Sequence, residues 1–407
     1  MRISSERRLR ILMVIGQFDP FTGGAERQCM KLSKALKKRG HEVKVVTVWQ
    51  LRDLPRNERI QDIPVERVWY PMLRFWGIKL VGFGFLAWLT LSWVVYRNLK
   101  RFDVVHVHQG LWPGFSATLA ANWAAKPIIC KIGNSGERFD LLTFKKKHWY
   151  GSFGVWLMKK WVDRFVWTSR AVFDDLAIMN IEPQKLVYIP NGVEPSQRTR
   201  DKADRDKDKI VFVYSGSLTP KKNLSLLIEA IGNLPDLYRA KLELKILGDG
   251  PQKALLWKLI KKYGLERVVN MEGKIQDVEA HLHNSDVFVL PSITEGLSNA
   301  ALEAMSCGLP PILSLAGGNA DLIEIEEQIV SAKLRNGSIV LGVNGIFIKS
   351  DCRQSLIEAI KYMVDHPSER VEMGHQSQKI IEAKYLLENV VTRYEILYSQ
   401  CGSFLAA

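Results

Sequence analysis

The sequence predicts an α/β protein with two domains, each organised around a parallel β-sheet. Its 407 residues are enough for two or three domains, each with its own core. The apolar run Ile11–Gly16 is followed by a glycine loop, a helical segment and a second apolar run, which is the order of a β-loop-α-β unit. The segment Asp286–Asp321 repeats this order in the second half. A mixed-charge run, 194–209, separates the halves and is interpreted as a linker.

The two halves differ in charge. Residues 1–193 contain 31 lysines and arginines against 15 aspartates and glutamates. Because the whole chain carries a net charge of +14, the second half is close to neutral. Eleven of the twelve tryptophans precede Thr168. This composition predicts contact with an anionic interface. Membrane headgroups fit better than nucleic acid, because the chain shows no pattern of a nucleic-acid-binding module.

Cysteine usage indicates a reducing compartment. The five cysteines are far apart and form no C-x-x-C pair, so neither a zinc site nor a disulfide framework is expected. This suits the cytosol. The basic start of the chain leads into an apolar run too short for a signal peptide, and we interpret Ile11–Gly16 as the first buried strand.

The first loop carries a glycine pair. The segment Asp19–Arg27 reads DPFTGGAER and precedes a helix predicted over Arg27–Arg39 and a strand over His41–Val48. Backbone N–H groups beside Gly23 and Gly24 would let a phosphate or sugar approach the helix start. The pair alone is weak evidence for a ligand, since tight turns also need glycine.

An apolar segment, Leu80–Tyr96, leaves three interpretations open. Its length is at the lower edge of the roughly 17–25 residues needed to span a bilayer. The first interpretation is a core helix of the first domain, because a segment between two strands of one sheet cannot cross a membrane. The second is a helix lying in the membrane interface, and the third is a transmembrane span.

Two histidines occupy the strand predicted over Asp103–His108. From their alternation we expect only one of them to face a given side, with His108 reaching the cleft at the end of the strand and His106 packing inside. A metal site is not expected here, since no acidic cluster lies nearby. The next strand carries Lys131 and ends at a loop with Asn134, which is expected to face the same cleft.

The second domain is predicted to open with a strand over Ile210–Tyr214 and a helix over Leu224–Ile231. Asn223 is expected to cap this helix. Lys221 and Lys222 precede the helix and are placed to meet a diphosphate at its start.

The strongest functional signal is EGLSNAALE, which runs from Glu295 to Glu303. It follows an apolar strand, so Glu295 is expected at the carboxyl end of that strand, where ligands bind in open α/β sheets. Glu303 lies eight residues on, along the helix that this loop starts. Free N–H groups at the helix start suit an anionic or hydroxyl-rich ligand. Taken alone, such a pair is more often one capping and one solvated glutamate.

Several motifs together resemble those of the retaining nucleotide-sugar glycosyltransferases of family four. They are GGAER at 23–27, IPNGVE at 189–194, GDGP at 248–251, and PSITEGLSNAALE at 291–303 with the GLPP strand and GG loop that follow it. The resemblance covers nearly the whole chain and implies the GT-B fold, in which two Rossmann-like domains face each other across a cleft. It implies an acceptor-binding domain over 1–193, a linker over 194–209, a donor-binding domain over 210–385 and a last helix, 386–407, packing back on the first domain.

The resemblance assigns roles in the second domain. It implies that Glu295 contacts the sugar hydroxyls, that Glu303 contacts the ribose, and that Lys222 neutralises the donor diphosphate. Ser217 stands where the family usually has a second phosphate-binding cation, an arginine, so Lys221 is the candidate replacement. The other donor-binding residues implied are Gly216, Gly248, Lys274, Ile275, Gly296, Leu297, Ser298 and Asn299.

The resemblance assigns further roles in the first domain. Many members of the family carry a histidine at the strand end where this chain has Gly133 and Asn134. Asn134 or Lys131 is the candidate replacement, and His108 is expected to act beside it. The other first-domain residues implied are Gly23 and Gly24 beside the donor phosphates, and Glu26, Arg27 and Lys131 on the acceptor side.

The function implied is a retaining, metal-independent transfer of a sugar from a nucleotide diphosphate sugar to a lipid-linked glycan, without a cofactor. The departing phosphate would act as the base. Such an enzyme would serve cell-surface polysaccharide biosynthesis (lipopolysaccharide or capsule) from the inner face of the cytoplasmic membrane. Two alternatives remain open. An inactive sugar-nucleotide-binding scaffold is favoured by Ser217 and the missing histidine, whereas a GT-B nucleotide-sugar epimerase would need more acidic residues and histidines in the first domain.

Overall fold

The computed structural model describes residues 8–21, 23–49, 51, 53–69, 74–75, 78–79, 84–196, 209–325 and 339–403. The chain divides into two units, which are residues 1–192 with 387–407, and residues 193–386. Residues 197–208, which make up most of the expected linker, lie outside the described part, as do residues 80–83 of the apolar segment.

The first unit is built on an eight-stranded sheet. Its central strands are buried on both faces, which is typical of parallel sheets covered by helices. The strands are β1 Arg10–Ile15, β2 Glu42–Trp49, β3 Asn57–Ile60, β4 Ile63–Trp69, β7 Val104–His108, β8 Ile128–Ile132, β9 Arg164–Trp167 and β10 Leu186–Tyr188, with a separate hairpin of β5 Arg74–Phe75 and β6 Ile78–Lys79. The order of the eight-stranded sheet is β10-β9-β8-β7-β1-β2-β4-β3, and within this sheet only β3 and β4 pair antiparallel.

Helices cover both faces of this sheet. The helices of this part of the chain are α1 Gly24–Lys38, α2 Gly84–Leu99, α3 Trp112–Trp123, α4 Asp140–Lys147, α5 Gly151–Trp161 and α6 Arg170–Ile178. One core contains residues of α2, α3 and α5, and the other contains residues of α1. The first helix begins three residues earlier than Arg27, because the extended backbone of Gly23 forms its N-cap and Glu26 already lies in its first turn.

The described part of the apolar segment, residues 84–96, lies in the helix α2, whose inner face belongs to the core. Leu91, Val95 and Leu99 are almost fully buried, and the helix packs against α3. Leu86 and Trp93 lie on the outer face and are exposed. Among the described residues, no helix is both long enough and apolar enough to cross a membrane.

The second unit is built on a seven-stranded sheet. Its strands are β11 Ile210–Ser215, β12 Leu242–Leu247, β13 Val269–Gly273, β14 Val287–Leu290, β15 Pro311–Ser314, β16 Val340–Leu341 and β17 Ile346–Ile348. They are ordered β13-β12-β11-β14-β15-β17-β16, and all neighbours are parallel except β16 and β17. Both units are thus mixed, mainly parallel α/β layers, which confirms the predicted fold class.

The helices of the second unit are α7 Leu224–Gly232, α8 Asp236–Ala240, α9 Lys253–Lys262, α10 Val278–His283, α11 Asn299–Ser306, α12 Arg353–Asp365 and α13 Pro367–Ile380. The 3₁₀ turns Pro220–Lys222 and Gly317–Asp321 follow β11 and β15. The last helix, α14 Leu387–Ser403, belongs to the first unit, where Tyr394 and Tyr398 enter the same core as α1.

The prediction that Asn223 caps α7 is wrong. Asn223 precedes the helix, but its backbone is left-handed, with φ of 54°, and its side chain does not bond to the helix. Instead its amide donates to Asp351 Oδ1 at 2.7 Å. Asparagine tolerates this left-handed conformation better than most residues, so here it serves as a turn residue.

Candidate functional site

The carboxyl ends of β11, β14 and β15 lie side by side, since these neighbouring strands are parallel. Backbone hydrogen bonds join the loops that follow them. Ile293 N–H donates to the Lys221 carbonyl at 2.8 Å, and Gly318 N–H donates to the Glu295 carbonyl at 3.3 Å. The three loops therefore form one continuous edge at the end of the sheet where ligands bind in open parallel folds.

Glu295 and Lys222 form an ion pair on this edge. The ammonium of Lys222 donates to Oε1 of Glu295, and Ser292 Oγ donates to the same oxygen at 2.7 Å. The side chains of Lys222 and Glu295 are only 13% and 9% exposed. Such a position lowers the screening that weakens surface ion pairs. The pair thus holds one cation and one carboxylate in fixed positions on this edge.

Sequence reasoning placed Lys222 and Glu295 in the same site but gave them separate partners, a diphosphate and a sugar. The structure brings them into contact across 73 residues of sequence. Sequence reasoning also missed Ser292, which orients the carboxylate. Ser292 is itself fixed, because its carbonyl accepts a hydrogen bond from Ser314 on β15. The PS pair at the end of β14 was the only available signal for it.

The loop after β11 approaches the loop after β12 without side chains between them. Gly216 and Gly248 both have φ of +152°, and a Cβ at Gly248 would overlap the Gly216 carbonyl oxygen. Tyr214, which is fully buried, donates from its hydroxyl to the Ser217 carbonyl at 2.9 Å. Gly248 N–H donates to the Gly273 carbonyl at 2.7 Å. The loop after β13, which carries the predicted residues Lys274 and Ile275, therefore lies next to the loop after β12.

The helix α11 starts immediately after the Glu295 loop. Its N-cap is Ser298, whose Oγ accepts from Ala301 N–H at 3.3 Å. The backbone of Gly296 to Asn299 therefore leads into the positive end of a helix, which suits an anionic or hydroxyl-rich ligand. Glu303 lies on the same helix, past its middle.

The two histidines of β7 lie on the same side of the strand, contrary to the expectation from sequence. His106 and His108 share one face of the strand, and their rings stack with centroids 4.3 Å apart. Residues two apart on a strand point to the same side, so the expectation that only one could face a given side was wrong. Both rings are buried, and burial lowers the pKa of each well below the usual value. The ring of His106 also bonds through Nδ1 to the Tyr398 hydroxyl at 2.7 Å.

Lys131 lies beside the histidines. It pairs in register with His108 across β7 and β8, and it is 6% exposed. Within the described residues no carboxylate forms an ion pair with its ammonium. Burial lowers the pKa of Lys131 to about 8. A buried cation of this kind suits an acidic or strongly hydrogen-bonding ligand group at the carboxyl end of β8.

Asn134 is engaged with a residue that sequence reasoning missed. Its amide donates to Asp140 Oδ1 at 2.7 Å, while Oδ2 accepts from Gly110 N–H at 3.3 Å and Gly133 N–H at 3.2 Å. Asp140 is buried, and burial raises its pKa to about 6. The carboxylate of Asp140 joins the loops after β7 and β8, and the Asn134 amide is one of its hydrogen-bond donors there. No sequence motif marked Asp140.

The helix start at Gly23 and Gly24 already holds a carboxylate. The Glu26 side chain folds back so that a Cβ on Gly23 would overlap its Oε2, and the backbone N–H groups of Gly23 and Glu26 bond to this carboxylate. Burial raises the pKa of Glu26. A phosphate at this helix start would have to displace Glu26. Arg27, another predicted acceptor-side residue, is exposed.

Comparison with known proteins identifies the chain. The family model described as Glycosyl transferases group 1 matches residues 195–380, and the model described as Glycosyltransferase Family 4 matches residues 22–197. Protein CapJ of Staphylococcus aureus is 30% identical over 318 residues, which cover 72% of this chain and 76% of CapJ. The chain belongs to the group 1 glycosyltransferases.

One further sequence relative and one solved structure are similar to this glycosyltransferase. The UDP-Gal:alpha-D-GlcNAc-diphosphoundecaprenol alpha-1,3-galactosyltransferase of Escherichia coli is 30% identical over 264 residues, covering 57% of this glycosyltransferase and 63% of that enzyme. The structure of HepE from Anabaena in complex with UDP-glucose superposes with a TM-score of 0.74 at 20% identity, covering 96% of this chain and 100% of HepE. The structural likeness confirms the predicted GT-B fold.

Proposed function

We propose that this glycosyltransferase moves a sugar, with retained configuration, from a nucleotide diphosphate sugar to a lipid-linked glycan during cell-surface polysaccharide assembly. The observation that carries the proposal is the Lys222–Glu295 ion pair on the carboxyl edge of the second sheet. It offers a cation for phosphate and a carboxylate for hydroxyls at one place. HepE, which has the same fold, was crystallised with UDP-glucose, and the Escherichia coli relative is named for a diphosphoundecaprenol acceptor.

The geometry of the loops supports the donor half of the proposed site. Lys222 would turn from Glu295 to the diphosphate, with Lys221 beside it, and the freed carboxylate would accept hydrogen bonds from sugar hydroxyls. The N–H groups from Gly296 to Asn299 and the positive end of α11 would stabilise the negative charge. Glu303 would hold the ribose. Lysines and backbone dipoles supply this stabilisation, so we propose that the transfer requires neither a metal nor a cofactor at this site.

The acceptor half is proposed for the first unit. Lys131, with His108 behind it, would hold a polar group of the acceptor near the end of β8. Asp140 keeps the loops after β7 and β8 together through Gly110 and Gly133, so Asn134 would act mainly by shaping this edge. The departing phosphate would take the proton of the attacking hydroxyl, and catalysis would consist of positioning and electrostatic stabilisation.

A thermal-shift screen of nucleotide sugars tests the donor site. A ligand that binds only the native state raises the melting temperature by mass action. We expect one donor to raise the melting temperature of the wild type by several degrees and to leave Lys222→Ala and Glu295→Ala unchanged.

Matched controls for this screen lie at the opposite end of the second sheet. Lys241 and Asp236 are exposed and precede β12, so Lys241→Ala and Asp236→Ala should respond like the wild type. A donor that still stabilises both site variants would place the site elsewhere. No response of the wild type to any donor at millimolar concentration would favour the inactive scaffold.

We also propose that the protein lies on an anionic membrane surface through the first unit. Trp149, Phe153 and Trp156 at α4 and α5 are 82%, 58% and 53% exposed, and the last two rings stack at 5.8 Å. Lysines flank them, namely Lys145, Lys146 and Lys147 at the end of α4 and Lys159 and Lys160 at the end of α5. Exposed aromatic rings bordered by lysines suit the headgroup region of an anionic bilayer.

Vesicle sedimentation tests this membrane surface. Phosphatidylglycerol vesicles are expected to bind the wild type, and the double variant Trp149→Ser/Phe153→Ser should bind about tenfold more weakly, because two aromatic rings no longer enter the interface. The control Trp257→Ser removes an exposed tryptophan from the second unit and should bind normally. Equal binding of wild type and double variant, or equal binding to neutral and anionic vesicles, would contradict the proposal.

A further inference from the structure

A second polar cluster lies in the second unit, apart from the Lys222–Glu295 pair. Glu279 and His283 lie four residues apart on α10, so their side chains share one face of the helix. Cys307 follows the last residue of α11, and Ser196 lies near the start of the unit. The ligating atoms of Glu279, His283 and Cys307 all lie within 4.8 Å of one another.

The distances in this cluster approach those of a metal site. In a tetrahedral zinc site with bonds of about 2.0–2.3 Å, neighbouring ligand atoms are roughly 3.3–3.8 Å apart. Glu279 Oε1 and His283 Nε2 are 3.6 Å apart. Ser196 Oγ lies 2.7 Å from that carboxylate oxygen and 2.5 Å from the same ring nitrogen. A small outward movement of Ser196 would leave room for an ion between the three ligands.

The chemistry of the donors selects the class of ion. A thiolate, an imidazole and a carboxylate together match borderline-soft divalent cations, of which zinc is the most common in proteins. The side chains of His283 and Cys307 are almost fully buried, whereas that of Glu279 is 40% exposed and leaves a path for entry. The thiolate and the carboxylate supply two negative charges, which balance a divalent ion.

We propose that Glu279, His283 and Cys307 bind a zinc-like divalent cation, with the Ser196 hydroxyl or a water in the fourth position. Binding breaks the S–H bond of Cys307, whose proton goes to solvent, and forms bonds from sulfur, nitrogen and oxygen to the ion. The cysteines are far apart in sequence, which is why their spacing indicated no zinc site. The ligands come instead from two neighbouring helices.

The proposed ion is structural rather than catalytic. Cys307 lies at the carboxyl end of α11, about 14 Å by helix rise from Ser298 at its start beside the proposed donor loop. The ion would join α10, the end of α11 and the chain that enters the unit at Ser196. The proposed ion therefore does not change the mechanism of the proposed metal-independent transfer. Binding of the ion is measured separately from binding of the donor, so one proposal can fail without the other.

Cobalt substitution tests the site in the full chain. Co²⁺ bound by a cysteine thiolate gives a near-ultraviolet charge-transfer band, and tetrahedral Co²⁺ gives strong visible bands. We expect one Co²⁺ per chain with both signals in the chelator-treated wild type, and displacement of this Co²⁺ by Zn²⁺. Cys307→Ser should lose the charge-transfer band, and His283→Gln should weaken binding at least about 100-fold, since even outer-shell partners account for 10–100-fold.

Matched variants keep this test decisive. Cys352→Ser removes another free cysteine, and His281→Gln changes another histidine of the same helix, so both should bind like the wild type. Glu279→Gln alters a partly exposed side chain and offers a variant that should fold even if the buried ones do not. No charge-transfer band in the wild type, or a band that persists in Cys307→Ser, would overturn the proposal.

Discussion

Lys222→Met is expected to lower the rate of sugar transfer by about 10²–10³-fold and, at the same time, to destabilise the second unit. The loss of rate follows from the loss of a positioned cation at the donor diphosphate. The loss of stability has a different cause, because the side chain of Glu295 is only 9% exposed and would lose the positive charge of Lys222. We expect a cost of about 2–3 kcal/mol, below the range for fully buried pairs.

The double variant Lys222→Met/Glu295→Gln separates these two effects. It removes both charges, so the free energy of unfolding should return to within about 1 kcal/mol of wild type, whereas transfer should stay lost. Urea unfolding and a radiolabelled-sugar transfer assay measure the two quantities. If the double variant is as unstable as Lys222→Met, the ion pair does not account for the instability. If it transfers sugar normally, the proposed donor site is wrong.

Lys131→Met is expected to raise the stability of the first unit by about 3 kcal/mol at pH 7. The pKa of this lysine falls from 10.5 in the unfolded chain to about 8 in the folded protein. Below pH 8 the ammonium is charged in both states, so folding carries the full cost of burying it. Between about pH 8 and 10.5 the folded protein loses its proton first, and the wild type gains stability as pH rises. The advantage of the variant should therefore disappear above about pH 10.5.

Urea unfolding at pH 7, 8.5 and 10 measures this dependence. The control Lys34→Met changes an exposed lysine of α1 and should stay within about 0.5 kcal/mol of wild type at pH 7. If Lys131→Met is less stable than wild type at pH 7, an anionic group must neutralise Lys131 in the folded protein. Transfer by this variant should fall as well, because Lys131 is proposed to hold the acceptor.

Much of the fold was accessible from sequence because its signals are local. Short apolar runs next to glycine loops predicted the parallel strands, and the Glu295 loop was placed correctly at the carboxyl end of one of them. Helix starts were less accurate, since they depend on backbone conformations such as the extended Gly23 and the left-handed Asn223. The side chain of Asn223 contacts Asp351, which is distant in sequence, so a local pattern does not show it.

The arrangement of the site was less accessible because it depends on pairs that are distant in sequence. Lys222 meets Glu295, and Asp140 takes the amide of Asn134, and neither pairing is visible in a motif. The stacked histidines of β7 are a different case. Strand geometry alone requires His106 and His108 to share a face, so that expectation contradicted a local rule rather than lacking information.

The contact between Lys222 and Glu295 also bears on turnover. A nucleotide sugar offers partners to both side chains at once, whereas the nucleotide diphosphate left after transfer carries no sugar for Glu295. The carboxylate would then compete with the diphosphate for Lys222, and re-formation of the ion pair would weaken product binding. In the proposed donor site, the resting Lys222–Glu295 ion pair would thus favour the intact donor over the spent one and would promote product release between cycles.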